Sequence, residues 1–135
     1  MTEAKTVSFS IPGGTGAASI ARRSVISIEA GLPLGVRHRV ALMLSEFVAN
    51  AVQHGGAGPD EVVQVKVEST HLHVRVEVVD PGWPGAEPNE RIRHADGGYG
   101  LLLIEHLSDR WGREATAEGG SLAWFELDLD GLDEP

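Results

Sequence analysis

The 135-residue chain contains no cysteine. That absence excludes a disulfide framework, a thiolate nucleophile and any zinc or iron–sulfur site built on Cys ligands. Basic residues are scarce as well: 11 Lys and Arg stand against 20 Asp and Glu, a formal net charge of −9, with a pI near 5.0. A surface that neutralises a nucleic-acid backbone needs clustered cations, so this balance argues against nucleic-acid binding. An anionic membrane surface is disfavoured for the same reason. Long apolar runs are also missing, and none approaches the roughly 20 residues that span a bilayer. Met1–Ser10 carries Glu3 and Lys5 and lacks the apolar middle of a signal peptide. No internal repeat or low-complexity tract is present. These absences lead to the expectation of one cytoplasmic domain over residues 1–135, with a single core that needs no covalent staples.

The hydrophobic pattern divides the chain into short elements. Val7, Phe9 and Ile11 alternate with Ser8 and Ser10 as a strand, ended by Pro12-Gly13-Gly14. Ala17–Ala30 reads as a helix with Ile20, Val25 and Ile28 on its inner face. After Leu32-Pro33-Leu34-Gly35, a long helix is predicted from Val36 to His54. Val62, Val63, Val65 and Val67 form a strand that turns at Ser69-Thr70 into Leu72, Val74, Val76 and Val78, a hairpin with its polar residues on one face. Pro81–Gly100 holds three Pro and five Gly without periodicity, the mark of a functional loop or lid. A helix over Gly100–Leu107 and strands over Trp111–Ala117 and Ser121–Leu129 follow, and the acidic tail, Asp130–Pro135, is expected to fray. The order βααββ-loop-αββ predicts an α/β (α+β) two-layer sandwich, with helices on one face of a mostly antiparallel sheet. The first strand suits a sheet edge, which pairing with a second copy of the chain would cover.

Three features are costly for a purely structural protein. Val40, Met43, Leu44, Phe47, Val48, Ala51 and Val52 form a broad apolar helix face, and Leu42 and Ala49 make much of the opposite side apolar too, so the helix is expected to be largely buried. Glu46, Asn50 and His54, four apart, run along the edge of the apolar face. A carboxylate buried there needs a partner or a ligand. The stripe therefore suits a ligand site with Glu46 as a base and Asn50 as a metal or phosphate contact. It equally suits a solvent-facing Glu46 and an Asn50 bonded to a neighbouring loop. Asp80 ends a strand before Pro81-Gly82-Trp83-Pro84-Gly85. It can accept hydrogen bonds from a ligand amino group, with Gly82 leaving room for a flat ring, or it can cap an ordinary turn. Gly97-Gly98-Tyr99-Gly100 opens a helix whose first N–H groups can bind phosphate. No Lys-Ser/Thr follows, so it is not a P-loop, and it does not directly follow a strand as a dinucleotide fingerprint does.

In this order, the features resemble the ATP-binding superfamily of gyrase, Hsp90, histidine kinases and MutL, whose domain has the Bergerat-type fold. Within it, the sequence is most similar to the bacterial anti-sigma-factor serine protein kinases. The likeness covers nearly the whole chain: Leu44–Gly55 resembles the first motif, Asp80-Pro81-Gly82 the second, Gly97-Gly98-Tyr99-Gly100-Leu101 the third, and Gly119-Gly120-Ser121 the small-residue turn before the last strand. The resemblance implies that Asn50 coordinates Mg²⁺ and that Glu46 is the general base toward a serine hydroxyl. It implies that Asp80 accepts from the adenine amino group beside Gly82, and that Gly98, Gly100 and Leu101 meet the phosphates. Ser121 would support Asp80 or a bridging water. His54 and Tyr99 border these motifs, and Arg91, Arg93 or His94, in a lid over Trp83–Tyr99, would reach a phosphate. The second motif departs from the family by an extra residue and by Trp83 between its glycines. The third has no basic residue directly beside its glycines.

What the resemblance implies is a Mg²⁺-ATP-binding regulatory domain, a serine kinase that phosphorylates a protein antagonist and sequesters a sigma factor, with a homodimer as a further expectation. The alternative is a non-catalytic ATP-sensing module that binds a partner. A histidine-kinase reading is weaker at this length, which leaves no room for a helical hairpin bearing the phosphoacceptor. A zinc site is weaker still, because His71 and His73 read as an exposed polar face beside Arg75.

Overall fold

The computed structural model describes residues 4–27, 32–54, 60–81 and 99–129. Five strands, β1 (Lys5–Pro12), β2 (Val62–Ser69), β3 (His73–Asp80), β4 (Arg110–Ala115) and β5 (Ser121–Asp128), and three helices, α1 (Ala17–Ser27), α2 (Leu34–His54) and α3 (Tyr99–Leu107), are present among them. The strands form one sheet in the order β1-β2-β3-β5-β4, and all four pairings are antiparallel. Nearest-neighbour hairpins make β2–β3 and β4–β5, while β5 inserts beside β3. This is the predicted two-layer sandwich, and β1 lies at an edge of the sheet as expected. No helix of the described residues is long and apolar enough to cross a membrane.

Period-two alternation determines which side of the sheet is buried. Ile11, Val63, Val65, Val67, Val74, Val76, Val78, Phe125 and Leu127 all point into the core. Registers such as Val67↔Val76 and Val76↔Phe125 align them in rows across the strands. Each such side chain, taken out of water, contributes about 1.5–3 kcal/mol before entropy is counted. From the helical layer, Val36, Val40, Ala41, Met43, Leu44, Phe47, Val48 and Ala51 of α2 close the core. The Phe47 and Phe125 rings meet tilted, centroids 5.7 Å apart, a favourable arrangement of aromatic quadrupoles.

Helix α1 buries a line of smaller residues than predicted. Ala17, Ala21 and Val25 are inside at four-residue spacing, whereas Ile20 is half-buried at the core margin and Ile28 lies outside the described residues. Small side chains let α1 approach α2 closely. The Arg37 guanidinium then donates to the Ile26 carbonyl at 2.8 Å, satisfying an acceptor near the end of α1. Helix α2 begins two residues earlier than predicted, at Leu34. It is less enclosed than its composition suggested: Leu42 is 38% exposed, and Ala49 and Val52 are half-buried.

The outer face of the sheet carries charge. Glu126 lies at the centre of a network, accepting from Arg110 Nε at 2.7 Å and from Arg75 Nη1 at 2.7 Å, with His73 Nε2 at 3.4 Å. Arg110 also reaches Asp128 at 2.6 Å. Arg75 bonds Glu77 at 2.9 Å and stacks over Trp124, 4.5 Å from the ring centroid. His73 therefore belongs to this network on β3, while His71 is exposed in the connection before the strand. The hydrogen bond from Arg110, followed by those from Arg75 and His73, holds the Glu126 carboxyl down at about 2 against an ordinary 4.5, although burial opposes the shift. Because the folded value is the lower one, this stabilisation is present above pH 4.5 and is lost as pH falls toward 2.

Candidate functional site: the Asp80 end of the sheet and the edge of helix α2

Asp80 is the last residue of β3, where alternation turns its side chain to the core side. It is only 7% exposed. A carboxylate this buried requires donors. Register supplies one, because Asp80 pairs directly with Ser121, the first residue of β5. The Ser121 hydroxyl donates a hydrogen bond to Asp80 Oδ2. A second contact comes from the residue before Ser121. Gly120 is buried, and a Cβ built on it would stand 2.1 Å from the Asp80 carbonyl oxygen and 3.3 Å from the Pro81 carbonyl carbon. Backbone therefore packs on backbone here, and only glycine fits. The β4–β5 hairpin holds both ends of Asp80, its carboxylate through Ser121 and its main chain through Gly120.

The second part of the site lies on α2. Glu46 and Asn50 are both half-buried, at the margin of a helix whose neighbouring positions Phe47, Val48 and Ala51 are in the core. Four residues apart, they are neighbours on the helix surface, with Cβ atoms roughly 5–6 Å apart. His54 ends the same helix. Helix α2 packs against β3, the strand that carries Asp80, and against α3.

The third part is the start of α3. This helix begins at Tyr99 rather than Gly100, so Tyr99, Gly100 and Leu101 form its first turn. The N–H groups of a first turn have no intrahelical acceptor and carry the positive end of the helix dipole. No acidic residue occupies that turn. Ile104, fully buried, anchors the helix to the core.

The predicted site residues thus sort into three groups. Asp80 and Ser121 are brought into contact. Glu46 and Asn50 share the margin of one helix, while Tyr99, Gly100 and Leu101 share the first turn of another. Gly82, Gly98, Arg91, Arg93 and His94 lie outside the described residues, as does the segment between β3 and α3 assigned to the lid. In the sequence, Gly120 has only a place in a small-residue turn. Its packing against the Asp80 backbone is a longer-range fact, signalled only by a second consecutive glycine before Ser121.

Chemically, the arrangement offers a buried acceptor at a strand end, an amide and a carboxylate on one helix edge, and backbone donors at a helix start. The Asp80 carboxylate, backed by Ser121, is an acceptor of the kind that an amino-bearing ring requires. Asn50 is a hard oxygen donor of the kind Mg²⁺ accepts, since that ion commonly takes one or two protein ligands and completes its shell with phosphate and water.

Residues 15–124 match the family described as the histidine kinase-like ATPase domain. The chain is also similar to the sensor-type histidine kinases PrrB of Mycobacterium bovis and Mycobacterium tuberculosis. Both are 31% identical over 114 residues, a match covering 76% of this chain and 24% of each relative. The chain spans about a quarter of the length of these curated relatives. Family membership implies an ATP-binding module, and the match encloses the Glu46–Asn50 helix, Asp80 and Ser121. The chain belongs to the histidine kinase-like ATPase domain family.

Proposed function

We propose that this chain is a Mg²⁺-ATP-dependent serine protein kinase of the anti-sigma-factor type, which phosphorylates an antagonist protein and sequesters a sigma factor. The observation that carries the catalytic part is Glu46, a half-buried carboxylate one helical turn before Asn50. A module that only senses nucleotide has no use for a base at that position. In this reading Asp80, supported by Ser121 and Gly120, accepts from the adenine amino group, with Gly82 beside it. Asn50 holds Mg²⁺, and backbone donors at Gly98, Gly100 and Leu101 face the phosphates. His54, Tyr99 and Arg91 or Arg93 border the phosphate side. Glu46 takes the proton of the attacking serine hydroxyl. Bound Mg²⁺ supplies charge neutralisation for phosphoryl transfer, which otherwise depends on positioning and electrostatics. The exposed edge of β1 is the surface through which two copies would pair.

The similarity to sensor-type histidine kinases favours a second reading, transfer to a histidine. The product separates the two. Given γ-labelled ATP, Mg²⁺ and a candidate antagonist, the chain is expected to yield an acid-stable, alkali-labile label, the behaviour of a serine phosphoester. An acid-labile label would instead identify a phosphoramidate on histidine and overturn the serine assignment.

A further inference from the structure

We infer that Thr116 is a positioning residue for recognition of the adenine amino group, acting through Gly120 and Ser121 on Asp80. The inference rests on the nucleotide reading above and concerns a residue that has no place in any of the motifs. Thr116 follows β4 and makes three hydrogen bonds across the β4–β5 connection. Its N–H donates to the Gly120 carbonyl at 3.0 Å, and its carbonyl accepts from Gly119 N–H at 3.2 Å. Its hydroxyl oxygen accepts from Gly120 N–H at 2.9 Å. Gly119 has φ +88°, the left-handed residue that closes a three-residue hairpin loop.

The side-chain bond is the informative one. The Gly120 backbone is buried against the Asp80 carbonyl. Thr116 Oγ1 fixes the Gly119–Gly120 peptide and the Thr116 N–H holds the Gly120 carbonyl of the next one, so the two together set Gly120 and the entry into Ser121, and Ser121 fixes the Asp80 carboxylate. Thr116 thus sets Asp80 without itself reaching the ring. Its influence falls on the amino-group end of the nucleotide and not on the phosphate end, which the start of α3 would serve.

Thr116→Val keeps the shape and removes the acceptor, and Thr116→Ser restores it. Binding of ATP and of purine riboside 5′-triphosphate, which lacks the 6-amino group, is measured by calorimetry on the full chain. For Thr116→Val, ATP affinity is expected to fall about five- to tenfold while the analogue changes by less than about twofold, the signature of one misplaced hydrogen-bond acceptor. Thr116→Ser is expected to match wild type. An unchanged ATP affinity in Thr116→Val overturns the inference. Equal losses for both nucleotides also overturn it, because they indicate a merely structural role. A wild-type protein that binds both nucleotides equally removes the Asp80 reading itself, and the inference with it.

Discussion

Replacing Glu46 by glutamine is expected to lower phosphotransfer by roughly 10²-fold or more while ATP affinity stays within about twofold. The substitution keeps the side chain's length and removes only its ability to take a proton. Glu46 sits at the α2 margin, half-buried, so an amide of the same size preserves packing against the core. Asn50, one turn further, retains its position, and nucleotide and metal binding should therefore survive. Partner binding should survive too, because the change is isosteric. The check is label transfer from γ-labelled ATP, run beside a binding titration. Transfer at the wild-type rate would show that Glu46 is not the base. Absence of transfer in the wild-type protein, with partner binding that depends on ATP, would favour the non-catalytic module.

The second large effect is expected at Gly120. Its alanine variant should lose about 3 kcal/mol of stability, a fall in Tm of roughly 10 °C, and more than about tenfold in ATP affinity. The physical reason is a Cβ 2.1 Å from the Asp80 carbonyl oxygen. The obstructing atom belongs to the backbone of a paired central strand, so relief requires the β4–β5 hairpin and β3 to separate. That movement draws Ser121 away from the Asp80 carboxylate. Gly119 provides the contrast, since a Cβ there meets nothing within 4 Å and only its positive φ is strained. Thermal melts and ATP titrations of the Gly120 variant decide the matter; wild-type values in both would contradict the close approach.

The fold was legible because its main signals are local. Val63, Val65 and Val67 and then Val74, Val76 and Val78 alternate so regularly that the hairpin and its buried face follow from period two alone. The α2 stripe of Glu46 and Asn50 is visible for the same reason, since spacing by four places both at one margin. Asp80 stood out as an acid ending an apolar strand. What the sequence concealed depends on partners distant in the chain. Gly120 matters because β5 lies beside β3, and 40 residues separate it from the carbonyl it covers. Glu126 looks like an ordinary polar strand position until β3 and β4 bring Arg75 and Arg110 to it. On α1 the hydrophobic pattern gives Val25, which is buried, but close approach to α2 also buries the small Ala17 and Ala21 and leaves Ile20 at the core margin.

The central claim is an ATP site in which Asp80 reads the base and Asn50 holds the metal. Calorimetric titration of ATP into the chain, with Mg²⁺ and again with a chelator, tests it most directly. The expected result is micromolar-range binding that requires Mg²⁺, weakened at least roughly tenfold by Asp80→Asn, since a charged acceptor is lost. No heat and no thermal stabilisation at millimolar ATP would contradict it.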